Sequence, residues 1–147
     1  MNCERFDEVI RNAFSNYGPI GVSVQLLSLT DKKTPTPPGD WYSVTLEVEP
    51  VTAEPYPYAE TWYYGGVISH EKGRVPLGIR PIDKDKLIGC CKAAEKLPPG
   101  FPLKEASGEL SWFLTPSVDE PLYQFHHGQA LCVVGAYSGE VKSCNVN

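Results

Sequence analysis

Apolar residues along this chain change rhythm several times. Over residues 3–16 they recur at helical spacing: Phe6, Val9, Ile10, Ala13 and Phe14 fall at i, i+3, i+4, i+7 and i+8, one continuous stripe. Glu4, Asp7 and Glu8 suit the positive end of the helix dipole, and Gly18-Pro19 predicts the stop. In GVSVQLLSL, Val22, Val24 and Leu26 alternate with Ser23 and Gln25, the pattern of a half-buried strand. TDKKTPTPPGD predicts a loop, because prolines neither donate to a ladder nor continue a helix. WYSVTLEV alternates again, with Tyr42, Val44, Leu46 and Val48 on one face and Ser43, Thr45 and Glu47 on the other. A second proline-bearing loop, EPVTAEPYPYAE, leads into the strand TWYYGGVIS, where Gly65-Gly66 predicts a bulge or a close backbone crossing.

From Asp83 the helical rhythm returns. DKDKLIGCCKAAEKL places Leu87, Ile88, Cys91 and Ala94 on one side and Lys84, Lys92, Glu95 and Lys96 on the other. Asp83 is the expected N-cap and Pro98-Pro99-Gly100 the stop. Gly89 costs about 1 kcal/mol in a helix interior, which predicts tight packing against a sheet there. A strand over roughly residues 104–114 follows, then the loop TPSVDEP and two strands around Tyr123 and Val133. Ser138-Gly139 turns the chain into a last short strand over Val141.

The order is helix, three strands, helix, then three or four strands. It predicts an α+β fold, a mainly antiparallel sheet with two packed helices. Two short echoes accompany the repeated order. LSLT at 27–30 faces WFLT at 112–115, and Gly66-x-x-Ser69-x-Glu71 faces Gly135-x-x-Ser138-x-Glu140. Together they point to a tandem αβββ duplication with units at 1–80 and 81–147, either separate or fused into one compact domain.

The second unit resembles a known family. A helix, then GELSWFLTP, PLYQF and CVVGAYSGEV, is similar to a PepSY-type domain, one of the cystatin-like α+β modules. The family's last strand typically ends Asp-Ala-x-Thr-Gly-Glu-Val. Residues 135–141 keep its Ala136, Gly139, Glu140 and Val141, put Ser138 for Thr and Gly135 for Asp. The resemblance covers roughly residues 83–142 and implies one helix across a curved antiparallel sheet. It also implies peptidase inhibition, propeptide-like regulation or protein binding, without catalysis. The wedge of true cystatins, a Gln-x-Val-x-Gly hairpin with a later Pro-Trp hairpin, is missing: LCVVG lacks the Gln and no Pro-Trp occurs.

Composition narrows the function classes. The net charge of −5, with no basic run longer than Lys32-Lys33, argues against nucleic acid and against an anionic membrane as partners. Apolar runs are too short for a membrane span, and MNCERFDEVIRN does not read as a signal peptide. Five cysteines lack the spacings of a secreted disulfide scaffold, so a cytoplasmic, reducing compartment is expected. A single Cys132–Cys144 bond across a hairpin stays open. Vicinal Cys90 and Cys91, on a helix, diverge by about 100°.

The candidate chemistry is sparse. His126 and His127 adjoin Cys132 and Cys144 in sequence, but neighbours on a strand face opposite ways and no Cys-x-x-Cys or His-x-x-x-His spacing supports a metal. Cys132 reads as an inert strand-core thiol, and no Asn or Asp is placed to orient a Cys132/His127 pair. Glu47, Glu49, Asp119 and Glu120 read as solvated carboxylates. Gly65-Gly66 is too short for a phosphate loop. No cofactor or metal is expected, and no catalytic residue is assigned.

The best functional candidate is the aromatic set Trp41, Tyr42, Tyr56, Tyr58, Trp62 and Tyr64, supported by Tyr63 and the loop over 34–40. Tyr and Trp give large, stiff contact area at low entropic cost. The plainer reading puts Trp62 and Tyr64 in the core. The expected function is a non-enzymatic, protein- or peptide-binding regulatory module, peptidase-inhibitor-like at most. The alternative is a ligand-pocket protein or enzyme with an aromatic-lined cavity between helix and curved sheet. A third class is an oligomer, a homodimer at its simplest, built on edge strands or ring pairing.

Overall fold

The computed structural model describes residues 1–17, 23–35, 38–49 and 57–145, and over 33–39 only the backbone. The predicted helix stop at Gly18-Pro19, Val22, the pair Thr36-Pro37, and the loop 50–56 with Tyr56 lie outside the described residues.

Helix α1 (Cys3–Ser15) begins at Asn2, whose side chain accepts the Arg5 amide at 3.0 Å. It buries Cys3, Phe6, Val9, Ile10 and Ala13, and Phe14 packs at the margin. Four antiparallel strands follow: β1 (Ser23–Pro35), β2 (Pro38–Glu49), β3 (Tyr58–Tyr64) and β4 (Ile68–Gly73). After a short helix α2 (Cys90–Ala94) come β5 (Ser107–Ser111), β6 (Leu122–His127), β7 (Ala130–Gly135) and β8 (Val141–Asn145). The eight form one antiparallel sheet in the order β4-β3-β2-β1-β5-β6-β7-β8. The fold is α+β with a mainly antiparallel sheet. Each half is a helix and a four-strand meander, and the meanders meet where β1 pairs with β5 from Ser28↔Ser111 to Asp31↔Gly108.

The alternation of β2 is realised in full. Tyr42, Val44, Leu46 and Val48 are buried, while Trp41, Ser43, Thr45 and Glu47 keep solvent. The buried face continues through Leu26 and Leu29, Leu110, Tyr123 and Phe125, and Val134. Phe6 descends from α1 onto this face, its ring 6.4 Å from Tyr42 and 6.1 Å from Tyr123, so one side chain touches both halves.

Several expectations are corrected. Strand structure enters TDKKTPTPPGD from both ends, to Pro35 and from Pro38. Pairing with β5 ends at Asp31, so beyond it β1 is bonded on one side only, and a proline there need cost no ladder bond. Gly65-Gly66 lie in the connection between β3 and β4, which gives the first half a fourth strand. The segment expected as a strand over 104–114 opens with a 3-10 turn at Leu103–Glu105, and β5 covers only its middle.

The largest correction concerns the helix expected from Asp83. Asp83 does cap, accepting the Asp85 amide at 3.0 Å, but what it starts is a single 3-10 turn at Lys84–Lys86. The chain then runs extended, and the Ile88 amide donates to Ala136 O at 2.9 Å, tying this segment to the end of β7. Gly89 sits at φ +87°, a conformation that breaks a helix and suits glycine. The helix restarts at Cys90, whose amide donates to Asp7 Oδ1 of α1 at 2.8 Å. The buried face is therefore Cys90 and Ala93, while Cys91 is exposed. Cys132 is also not a free thiol. It is register-paired with Cys144 on β8, their Cα atoms 4.0 Å apart, and the two are disulfide-bonded. Among the described residues no helix is long and apolar enough to cross a membrane.

Candidate functional site

Strand alternation divides the described members of the aromatic set between the two faces of the sheet. Tyr42 and Tyr64, register partners on β2 and β3, point inward and are only 3% and 4% exposed. Burial raises both phenols above their usual range, and Asn16 Nδ2 donates to Tyr64 Oη at 3.4 Å. These two rings are core, as the plainer reading held for Tyr64.

Trp62 and Tyr58 share that inward face but lie toward its margin. Trp62 Nε1 donates to Tyr17 Oη at 2.8 Å, and its ring stacks on His70 with centroids 4.3 Å apart. Tyr17 in turn donates to the buried carboxylate of Glu60, which His70 Nδ1 approaches to 3.2 Å. Burial first, then this bond to Glu60, raises the Tyr17 phenol well beyond its ordinary value. The cluster joins the end of α1 to β3 and β4, and Glu60 was not singled out in sequence. A lone Glu between an Ala and a Thr carries no signal; only its register neighbours mark it. Tyr58 lies under the Lys72 ammonium, 4.7 Å from the ring centre.

Trp41 points the other way. It lies on the face that α1 leaves bare, with its indole laid over Gly65: a Cβ at that glycine would sit 2.6 Å from the ring. The bulge or backbone crossing expected at this glycine pair is thus replaced by a side chain laid on Gly65, while Gly66 faces open space. The indole remains 36% exposed and, with Lys32, Tyr42, Ser43 and Tyr63, lines an open groove of about 210 Å³. Tyr63 Oη donates to Glu71 at 2.5 Å, which raises its phenol, and Thr45 and Thr61 share a hydrogen bond at 2.9 Å beside it. Trp41, Trp62 and Tyr64 therefore line no common cavity.

His126 and His127 end β6 and face opposite ways, both half-buried. His127 Nε2 stands 3.4 Å from Glu105, and the two histidines border an open groove of about 420 Å³ with Lys32, Glu105, Ser107 and Gly128. Among the described residues no three His, Cys, Asp or Glu side chains converge as metal ligands. With Cys132 bonded to Cys144, a Cys132/His127 nucleophile pair has no thiol to work with.

Glu120 corrects the reading of Asp119-Glu120 as a solvated pair. Its carboxylate is 8% exposed and accepts from Tyr137 N (3.0 Å), Ser138 N (2.9 Å), Ser138 Oγ (2.8 Å) and Lys142 Nζ (2.9 Å). Burial alone would push this carboxyl up. The donors, Ser138 N foremost, outweigh it and hold the carboxyl down at about 2. A Cβ on Gly135 would lie 2.6 Å from Glu120 Cδ, so the motif at 135–141 wraps a carboxylate delivered from the preceding loop. The usable sequence signal was Gly135 itself, a glycine at a strand end with an acid upstream.

Scans of family models, of curated proteins and of solved structures find no match to this chain.

Proposed function

We propose that the protein is a non-catalytic binding module that takes a protein or peptide partner on the bare face of its sheet, centred on Trp41. One observation carries this reading. The helical layer packs on one face, whereas the outward side chains of β2, from Trp41 through Ser43, Thr45 and Glu47 to Glu49, all keep solvent. An indole held flat on Gly65 supplies rigid contact area in the middle of polar groups that can satisfy a partner's hydrogen bonds. Edge strands β4 and β8, exposed along their whole length, offer a second route by strand addition or by pairing of two copies. The ligand-pocket alternative draws no support from the rings, which are shared between the two faces.

The PepSY-type resemblance of the second unit fits this reading, since that family implies regulation or binding without catalysis. A tandem origin for the two units is likewise supported by their common order, one helix and four strands each, joined at β1 and β5.

Selection of peptides from a random display library on the immobilised protein tests the proposal. Selected peptides are expected to lose affinity by about 30-fold on Trp41→Ala, with the circular dichroism spectrum and Tm retained because the indole lies outside the core. Equal binding to Trp41→Ala, or protection from labelling on the α1 face instead, would remove the bare face from consideration.

A further inference from the structure

The structure leaves three cysteines outside the Cys132–Cys144 bond, and two of them meet. Cys3, in the first turn of α1, and Cys90, the first residue of α2, are buried with their sulfurs 2.7 Å apart. That is well inside the usual contact of two non-bonded sulfurs. The approach does not depend on the thiols alone. Asp7, one turn along α1 from Cys3, receives the Cys90 amide at 2.8 Å and so fixes the start of α2 over the start of α1. Gly89, at φ +87° beside Asp7, supplies the turn that delivers Cys90 there. Cys91, the next residue, is exposed to solvent and lies within hydrogen-bonding reach of Cys3.

We propose that Cys3 and Cys90 form a second disulfide, which joins α1 to α2 across 87 residues of sequence and leaves exposed Cys91 as the single free thiol. The oxidant is a low-molecular-weight disulfide. Cys3 attacks first: it is the less buried of the two thiols, 8% exposed against 0% for Cys90, and the hydrogen bond from Cys90 favours its thiolate. The Cys3 thiolate attacks one sulfur of the small disulfide. A Cys3–S–S–R bond forms, the R–S–S–R bond breaks, and the departing R–S⁻ takes up a proton. Cys90 then loses its proton and attacks Cys3 Sγ, forming the protein disulfide and expelling the second R–S⁻. Two protein thiols are oxidised and one small disulfide is reduced to two thiols. The first step needs Cys3 to open to the small disulfide; the second finds its two sulfurs in contact, because Asp7 holds the two helix starts together.

The wild-type chain suffices for the test. It is equilibrated with glutathione disulfide, alkylated in denaturant without reductant, digested and mapped by mass spectrometry. The expected result is Cys91 alkylated or carried as its glutathione mixed disulfide, with one cross-linked peptide pair carrying Cys132 and Cys144 and another carrying Cys3 and Cys90. Alkylation of Cys3 and Cys90 while Cys132–Cys144 is intact would overturn the proposal, as would a link from either residue to Cys91. In a Cys91→Ala/Cys132→Ala/Cys144→Ala variant, where only this pair responds, oxidation is expected to raise Tm by on the order of 10 °C. An unchanged or lowered Tm there would show that the bond does not fit the native packing.

Discussion

Glu120→Ala lowers the unfolding free energy by about 3 kcal/mol, a large effect for a residue that sequence reading places in a solvated loop. Removing the carboxylate takes the acceptor from the Tyr137 and Ser138 amides in a part-buried turn and deprives Ser138 Oγ and Lys142 of theirs. Glu120→Gln separates charge from shape, since the amide fills the same space but accepts through one oxygen only. The sign of the pH dependence follows from the direction of the shift. The folded carboxyl sits at about 2 against an ordinary 4.5, so its contribution is complete above 4.5 and is lost as pH falls through about 2. Urea titrations across that window should show wild-type stability falling with a slope that Glu120→Gln lacks. Parallel slopes for the two proteins would mean that the turn does not depend on the ionised group.

Phe6→Ala costs about 3–5 kcal/mol, the range for deleting a fully buried ring. The ring is fully buried and meets Tyr42 in the first half and Tyr123 in the second. Loss of protection is therefore expected on both sides of the β1–β5 junction together. Hydrogen exchange read separately on β2 and β6 checks this. A drop confined to β2 would mean that the halves unfold independently, as two domains at 1–80 and 81–147 would.

The two effects differ in how legible their causes are before folding. Phe6 belongs to a stripe of five apolar residues at helical spacing, and its burial could be read from the pattern. The inward alternation of Tyr42, Val44, Leu46 and Val48 was equally plain, because side-chain direction on a strand is a property of neighbouring residues. Glu120 carries no such local mark: its partners lie 17 to 22 positions further on and reach it only once β7 and β8 have formed. Glu60 is similar, being buried by Tyr17 and His70 from other elements.

The helix expected over 83–97 failed for a related reason. Its apolar spacing was helical, but the Ile88 amide is held by Ala136, the Cys90 amide by Asp7, and Gly89 accommodates the change of direction between them. Long-range hydrogen bonds outweighed a local preference that a glycine had already weakened. The described rings of the aromatic set fall on two faces because proximity in sequence is not proximity on a face. Trp41 and Tyr42 are adjacent, yet one lies against Gly65 and the other in the core.

By itself, then, the chain's pattern determined the first helix, the inward faces of β2 and α1, and the α+β class, since each follows from the period at which apolar side chains recur. Only the tertiary structure decided which strands became neighbours, where the carboxylates of Glu60 and Glu120 found donors, and that Cys3 came to rest on Cys90. Those outcomes depend on contacts between residues far apart in sequence, and periodicity holds no record of which distant segment closes on which.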